Sequence, residues 1–272
     1  MKIIFIYCLF TFVYVRHIFS LEIEPWLHAP WNFHSGADLS ASIFSSVENG
    51  FNPTDYDSNN ILTNVYLIVP FTQNMDIGGD VQFQRSSKKS FGLESFSFDF
   101  RKQLLNDITG DLVSFTIGSN FRYVCNDRLK DVAVPYHNIF NLEIFCSIGK
   151  EFTKEFEWYL KTFAFFDIGQ ANKGYPWFNG IFSIAQKFHH NSVFTVMLDY
   201  YVGFGLNKSI DIGQFNGYAN ISHKSLDISV SYSYLFDLWG SLSLMYLYRP
   251  YARSFPEYLN KIQLSYDLPF SF

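Results

Sequence analysis

The chain has 272 residues, a net charge of −5, 48% hydrophobic and 17% charged residues, with 20% aromatics and a mean hydropathy of +0.02. Charge this sparse lies below the roughly 25% of soluble domains, so much of the surface is expected to face something other than water. The low mean hydropathy excludes a bundle of membrane helices, the acidic balance argues against a nucleic-acid partner, and no linker or composition shift divides the chain into two domains.

The first element is a predicted signal peptide over residues 1–20, with Lys2, an apolar run from Ile3 to Val15 and the small residue Ser20 before the acidic stretch Leu21-Glu22-Ile23-Glu24. Arg16 stops the run at thirteen residues, short of the roughly 20 that a spanning helix needs. Its removal takes Lys2 and Arg16 with no acid, which moves the charge to −7, and leaves Cys125 and Cys146 after the loss of Cys8.

From residue 21 to 272 the dominant pattern has period two, the signature of strands with one apolar and one polar face. In 33–47, Phe33, Ala37, Leu39, Ala41, Ile43 and Val47 share one parity, against His34, Asp38, Ser40, Ser42 and Ser46. Comparable segments follow at 60–71, 75–85, 91–104, 112–125, 137–150, 155–169, 176–188, 192–206, 226–237, 240–249 and 260–272. Soluble strands average about 5–6 residues, whereas a tilted strand needs about 9–11 to cross a bilayer. Spanning strands must pair all their backbone groups, so the sheet has to close, and the expected fold is an all-β antiparallel transmembrane barrel. Counting 212–223 as a strand gives thirteen and breaks the alternation of long and short connections. Treating 207–224 as one outer loop gives twelve, with fourteen as the alternative.

The final segment alternates Ile262, Leu264, Tyr266, Leu268, Phe270 and Phe272 with Gln263, Ser265, Asp267 and Ser271. It resembles the C-terminal strand of Gram-negative outer-membrane proteins. That resemblance implies an integral outer-membrane location, contact with outer-membrane lipid, and use of Tyr266, Leu268, Phe270 and Phe272 as the address read by the barrel-assembly machinery. Pro269 departs from the pattern, because it withholds a ladder hydrogen bond.

The polar parity nominates the lumen-facing residues Asp38, Asp76, Asp80, Asp99, Arg101, Arg122, Glu143, Glu157, Lys161, Asp167, Lys187, Asp199, Asp227 and Asp267, of which ten of fourteen are acidic. Carboxylates around a wet lumen concentrate cations. The leading expectation is therefore a narrow, cation-preferring, porin-like channel for small hydrophilic solutes. A non-conducting barrel knitted by ion pairs or engaged through its outer loops is the first alternative, and an outer-membrane lipid hydrolase the second. The hydrolase would need a Ser-His pair on the outer face, but His190 with Ser192 and His223 with Ser225 fall in expected turns or loop. No cofactor or metal is expected: His189 and His190 are adjacent and would point to opposite faces of a strand. Trp26, Trp31, Trp158, Trp177 and Trp239 are read as interfacial girdles, and Gly203 and Gly205 as points of barrel bending. Cys125 and Cys146 lie on lipid-facing parity at opposite ends of neighbouring strands, too far apart for a disulfide.

Overall fold

The computed structural model describes residues 22–49, 53–155, 157–236 and 239–271; the expected signal peptide and Phe272 lie outside these. Twelve long strands form the wall: β1 (Phe33–Glu48), β2 (Pro53–Thr72), β3 (Met75–Arg85), β4 (Gly92–Leu105), β5 (Ser114–Val124), β6 (Phe140–Lys154), β7 (Glu157–Ala171), β8 (Trp177–Phe188), β9 (Ser192–Phe204), β10 (Ser222–Phe236), β11 (Gly240–Arg253) and β13 (Asn260–Phe270). The two-residue β12 (Pro256–Glu257) pairs with the upper end of β1. Each long strand is antiparallel to its neighbours in the chain, and β13 pairs with β1 from Phe33↔Phe270 to Ile43↔Asn260, so the sheet closes with no free edge. The long segment 205–221 is a connection rather than a thirteenth wall strand. Its end of the barrel is the outer one, since the shorter connections at 73–74, 106–113 and 189–191 all lie at the other.

The alternation has the expected consequence on the outside. Ile43, Val65, Leu67, Phe98, Ile144, Ile168, Phe182, Leu198, Leu244 and Leu264 are exposed in a belt around the wall, far more contiguous apolar surface than a water-soluble monomer carries. Trp31 and Trp239, 62% and 72% exposed, stand at the lower rim, as an interfacial girdle requires. Strands run further outward than their apolar parity: β2 begins at Pro53, although 49–59 reads as a loop, because Asp55, Asp57 and Asn59 point outward above the greasy belt. Likewise β11 continues to Arg253. The ladder between β11 and β13 ends at Ser241↔Asp267, two residues short of Pro269, so the missing N–H falls where that pairing has already stopped.

Two features of the interior differ from the sequence reading. A bulge between Phe44 and Ser46 reverses parity at the top of β1, so both Phe44 and Val47 turn inward, into a buried cluster with Tyr56, Ile210, Phe215, Tyr218, Leu247 and Phe255. Connections 125–139 and 205–221 fold across the outer mouth and join that cluster. Their backbones hydrogen-bond to each other, Tyr218 N to Tyr136 O (3.1 Å) and Ala219 N to His137 O (3.2 Å). At the other end residues 22–30 run inside the barrel. Trp26 therefore belongs to the lumen and not to a girdle, 7% exposed and packed with Phe145, Phe163, Phe165 and Ile181.

Candidate solute pathway

The lower lumen is organised around Arg101. This side chain of β4 grips Asp76 of β3 across the ladder (Nε–Oδ1 2.8 Å, Nη2–Oδ2 2.5 Å) and Glu22 of the inserted segment (2.6 Å). Its Nη1 also donates to the carbonyls of Glu22 and Glu24. Gln103 and Thr116 donate to Pro25 O, Ser147 to Ile23 O, and the Trp26 indole to Asp107 (2.9 Å). The wall thus reads the segment through its backbone, which satisfies groups that an irregular chain inside a barrel would otherwise leave unpaired. Burial raises the Glu22 carboxyl, but Arg101 and His28 outweigh it and hold the group down at about 2; His28, 3.0 Å from Glu22 Oε1, is raised by that partner against its burial. His28 also stacks on His34 (3.5 Å), whose Nδ1 meets Asp267 (2.9 Å). Two cavities flank the segment and both reach Glu22: one of about 410 Å³ lined by Ser183, Thr195, Asp199, Ser229, Ser231 and Met245, and one of about 290 Å³ beside His34, Asp38, Tyr66 and Asp267.

A charged belt circles the outer half. Arg122 holds Asp80 through both terminal guanidinium nitrogens (2.8 and 3.1 Å), and Ser97 donates to the same carboxylate. On the far side Arg249 pairs with Asp227 in the same bidentate manner (2.6 and 2.7 Å). Between them stand Glu143, Asp167 and Asp199, which have no salt-bridge partner among the described residues. They line a constriction of about 60 Å³ with Asn179, Trp177, Tyr201 and Phe255. Above it the rings form a roof: His137 stacks on Trp177 (3.8 Å, 12°), His223 on Phe255 (5.2 Å, 15°), and Tyr218 meets Phe255 edge-on (4.8 Å). Burial, reinforced by His223, keeps His137 well below the usual imidazole range and therefore neutral.

Glycines make room for these rings. Trp177 lies directly across the ladders from Gly169 and Gly203, and a Cβ on Gly169 would sit inside the indole; on Gly203 it would meet the His223 imidazole. Close approach, rather than bending, accounts for Gly203.

Of the nominated lumen residues, Asp38, Asp76, Asp80, Asp99, Arg101, Arg122, Asp167 and Asp227 are buried inside, and Glu143, Asp199 and Asp267 are partly so. Lys161 reaches Glu151 (3.0 Å) and lies over the Trp26 ring, while Glu157 is exposed at the lower rim with Lys187 and His190. Sequence reading left Arg249, Lys261, Glu22 and His137 out of the lumen, took Trp26 and Trp177 for girdles, and put His223 and Ser225 in a loop. Arg249 and Lys261 do share the inward parity of their strands, and that signal could have found them; residues 22–30 and the folded-in loops carry no periodicity. His223 and Ser225 are buried on the inner face of β10, with His223 Nδ1 donating to Ile221 O. His190 faces Glu157, and Ser192 Oγ bonds the Tyr232 hydroxyl (2.8 Å). Cys125 and Cys146 are free thiols.

No family model matches the chain, and no curated protein matches it. Solved structures do. An outer-membrane channel from Pseudomonas putida F1, described as COG4313, superposes with a TM-score of 0.71 at 10% identity over 93% of this chain and all of that one. The NanC porin gives 0.54 at 6% identity, covering 85% of this chain and all of the porin, and the KdgM porin 0.52 at 9%, covering 85% and 98%. At these identities the likeness is one of fold: the chain has the architecture of an integral outer-membrane β-barrel.

Proposed function

We propose that this barrel is a narrow, porin-like channel that passes small hydrophilic solutes with a preference for cations. The observation that carries the reading is the constriction itself, where Glu143, Asp167 and Asp199 line the path between the 410 Å³ lower cavity and the aromatic roof with no salt bridge among the described residues, Arg122 and Arg249 being paired with Asp80 and Asp227 and acting on Glu143 and Asp199 only through space. In a lumen walled by low-dielectric protein and lipid, such carboxylates raise the local concentration of cations and repel anions. The similar structures are a channel and two porins, which supports the same reading. Outer-membrane lipid and the barrel-assembly machinery are its proposed partners, the latter through the C-terminal strand that includes Tyr266, Leu268 and Phe270.

Planar-bilayer recording of the refolded chain tests this. Stepwise currents are expected, with a reversal potential in a KCl gradient on the K⁺ side, and that preference should shrink in D167N/D199N. An anion-side reversal potential would overturn the cation preference. The non-conducting alternative draws on the occupied interior, filled by residues 22–30 below and loops 125–139 and 205–221 above; a silent bilayer would favour it. Release of fatty acid from phospholipid vesicles would instead support the hydrolase.

A further inference from the structure

The constriction has a composition that the channel reading alone does not use. Asp167 on β7 and Asn179 on β8 are cross-strand partners, 4% and 1% exposed. Asn179 acts on the neighbouring Asp167 carboxyl, but no well-formed hydrogen bond joins them, and among the described residues both atoms of the Asn179 amide, Asp167 Oδ1 and Asp199 Oδ1 are without a partner. Buried polar atoms are nearly always matched, and three of these four, Asp167 Oδ1, Asp199 Oδ1 and Asn179 Oδ1, are acceptors around one cavity, which signals a missing donor.

The chemistry of that donor can be narrowed. Arg249, the cation lining the cavity, has its Nε–Nη2 edge taken by Asp227 and donates from Nη1 to Pro256 O, so its charge is already matched and the carboxylates beside it favour a cation over an anion. No cluster of three His, Cys, Asp or Glu among the described residues has the geometry to hold a metal ion. What remains is a cation that donates hydrogen bonds, in a cavity whose wall also carries the Trp177 and Tyr201 side chains. The space has a matching shape. A constriction of about 60 Å³ suits an ammonium head, and Asp199 also lines the adjoining cavity of about 410 Å³, where Phe163, Ile181 and Met245 offer apolar contact to a short carbon stem.

We infer that the constriction is a binding site for a small primary alkylammonium ion, held by Asp167, Asp199 and Asn179 beside Trp177 and Tyr201. The inference rests on the channel reading only for how the amine arrives. Asp167 and Asp199 accept the ammonium protons as charge-assisted hydrogen bonds, and the stem lies toward the lower cavity.

Calorimetry on the refolded chain in a non-ionic maltoside tests it, with n-butylammonium chloride as the probe and 1-butanol and KCl as comparators. Butylammonium should bind, 1-butanol should not, and KCl at equal concentration should not displace the amine. The near-isosteric D167N/D199N variant should bind at least about tenfold more weakly, while heat-modifiable gel migration confirms that it is folded. Absence of butylammonium binding, equal competition by K⁺, or undiminished affinity in the folded variant would overturn the site. Calorimetry needs no current, so a barrel that is silent in bilayers yet binds the amine keeps the site and loses the channel. One that conducts without binding keeps the channel and loses the site.

Discussion

At the scale of single residues, the interior is governed by the cost of an unpaired charge. Arg101 is 1% exposed and Asp76 fully buried, and each is tolerable only because of the other. Arg101→Ala would leave the Asp76 carboxylate buried without its partner and is expected to cost about 3–5 kcal/mol, read as the urea midpoint of the refolded chain. Arg101→Met with Asp76→Leu removes both charges and should recover most of that loss; equal destabilisation by the single and double variants would show that the arginine acts through packing alone. The same guanidinium holds Glu22, so both variants should also loosen the inserted segment.

That segment should respond to pH in a definite direction. His28 is raised above its ordinary 6.5 by Glu22, so its contribution to docking is complete below that value and disappears as pH climbs through the raised one. Glu22 is lowered from 4.5 to about 2, so its contribution holds above 4.5 and is lost as pH falls toward 2. Docking is firmest between these limits and weakens first on the alkaline side. Cleavage at Trp26 by chymotrypsin, normalised to a free peptide, should accelerate as pH rises past the His28 titration. E22Q should flatten that response; an unchanged response would point to a titrating group other than the His28–Glu22 pair.

At the scale of elements, the strands were legible because lipid imposes a strict rule on alternate residues. Where the rule applies, as at Ile61 to Val69 of β2, the strand stands out; where the same strand rises above the bilayer at Asp55 and Asp57, the outward parity turns polar and the strand reads as loop. Trp177 and Trp26 are large aromatics on inward positions, and the expectation of girdles misplaced them because it assumed a wet lumen throughout. The clue was present in the glycines opposite. Gly169→Val should drive the Trp177 ring out of its seat and destabilise the barrel by about 1–3 kcal/mol through overpacking, measurable by thermal unfolding. Placing valine at an open position such as Gly110 would not be a fair comparison, since its backbone is left-handed (φ 120°); Gly180→Val, whose Cβ would press on the Phe178 ring at 3.3 Å instead of entering a ring, is the better control. A similar loss in both would remove the ring-seating explanation.

At the scale of the molecule, the wall could be read from the sequence while the contents could not, because segments 22–30, 125–139 and 205–221 are positioned by individual hydrogen bonds rather than by a repeating environment. On the proposed channel reading, those contents set the conductance. The segment at the lower end separates the cavities of about 410 and 290 Å³, both of which contact Glu22, so its removal should merge them into one vestibule below the acidic belt. The roof of His137, Trp177, Tyr218, His223 and Phe255 is held from the wall and the outer loops and does not depend on the segment. Deleting residues 22–30 is therefore expected to raise single-channel conductance several-fold while leaving cation preference in place, since Glu143, Asp167 and Asp199 remain. The deletion should also lower stability, because Arg101, Gln103, Thr116 and Ser147 lose their partners together. Unchanged conductance in a folded deletion variant would locate the resistance in the outer roof. Tyr218→Ala, which withdraws the ring packed on Phe255 and the hydrogen bond to Val132 O (2.8 Å), would then be the substitution expected to open the path.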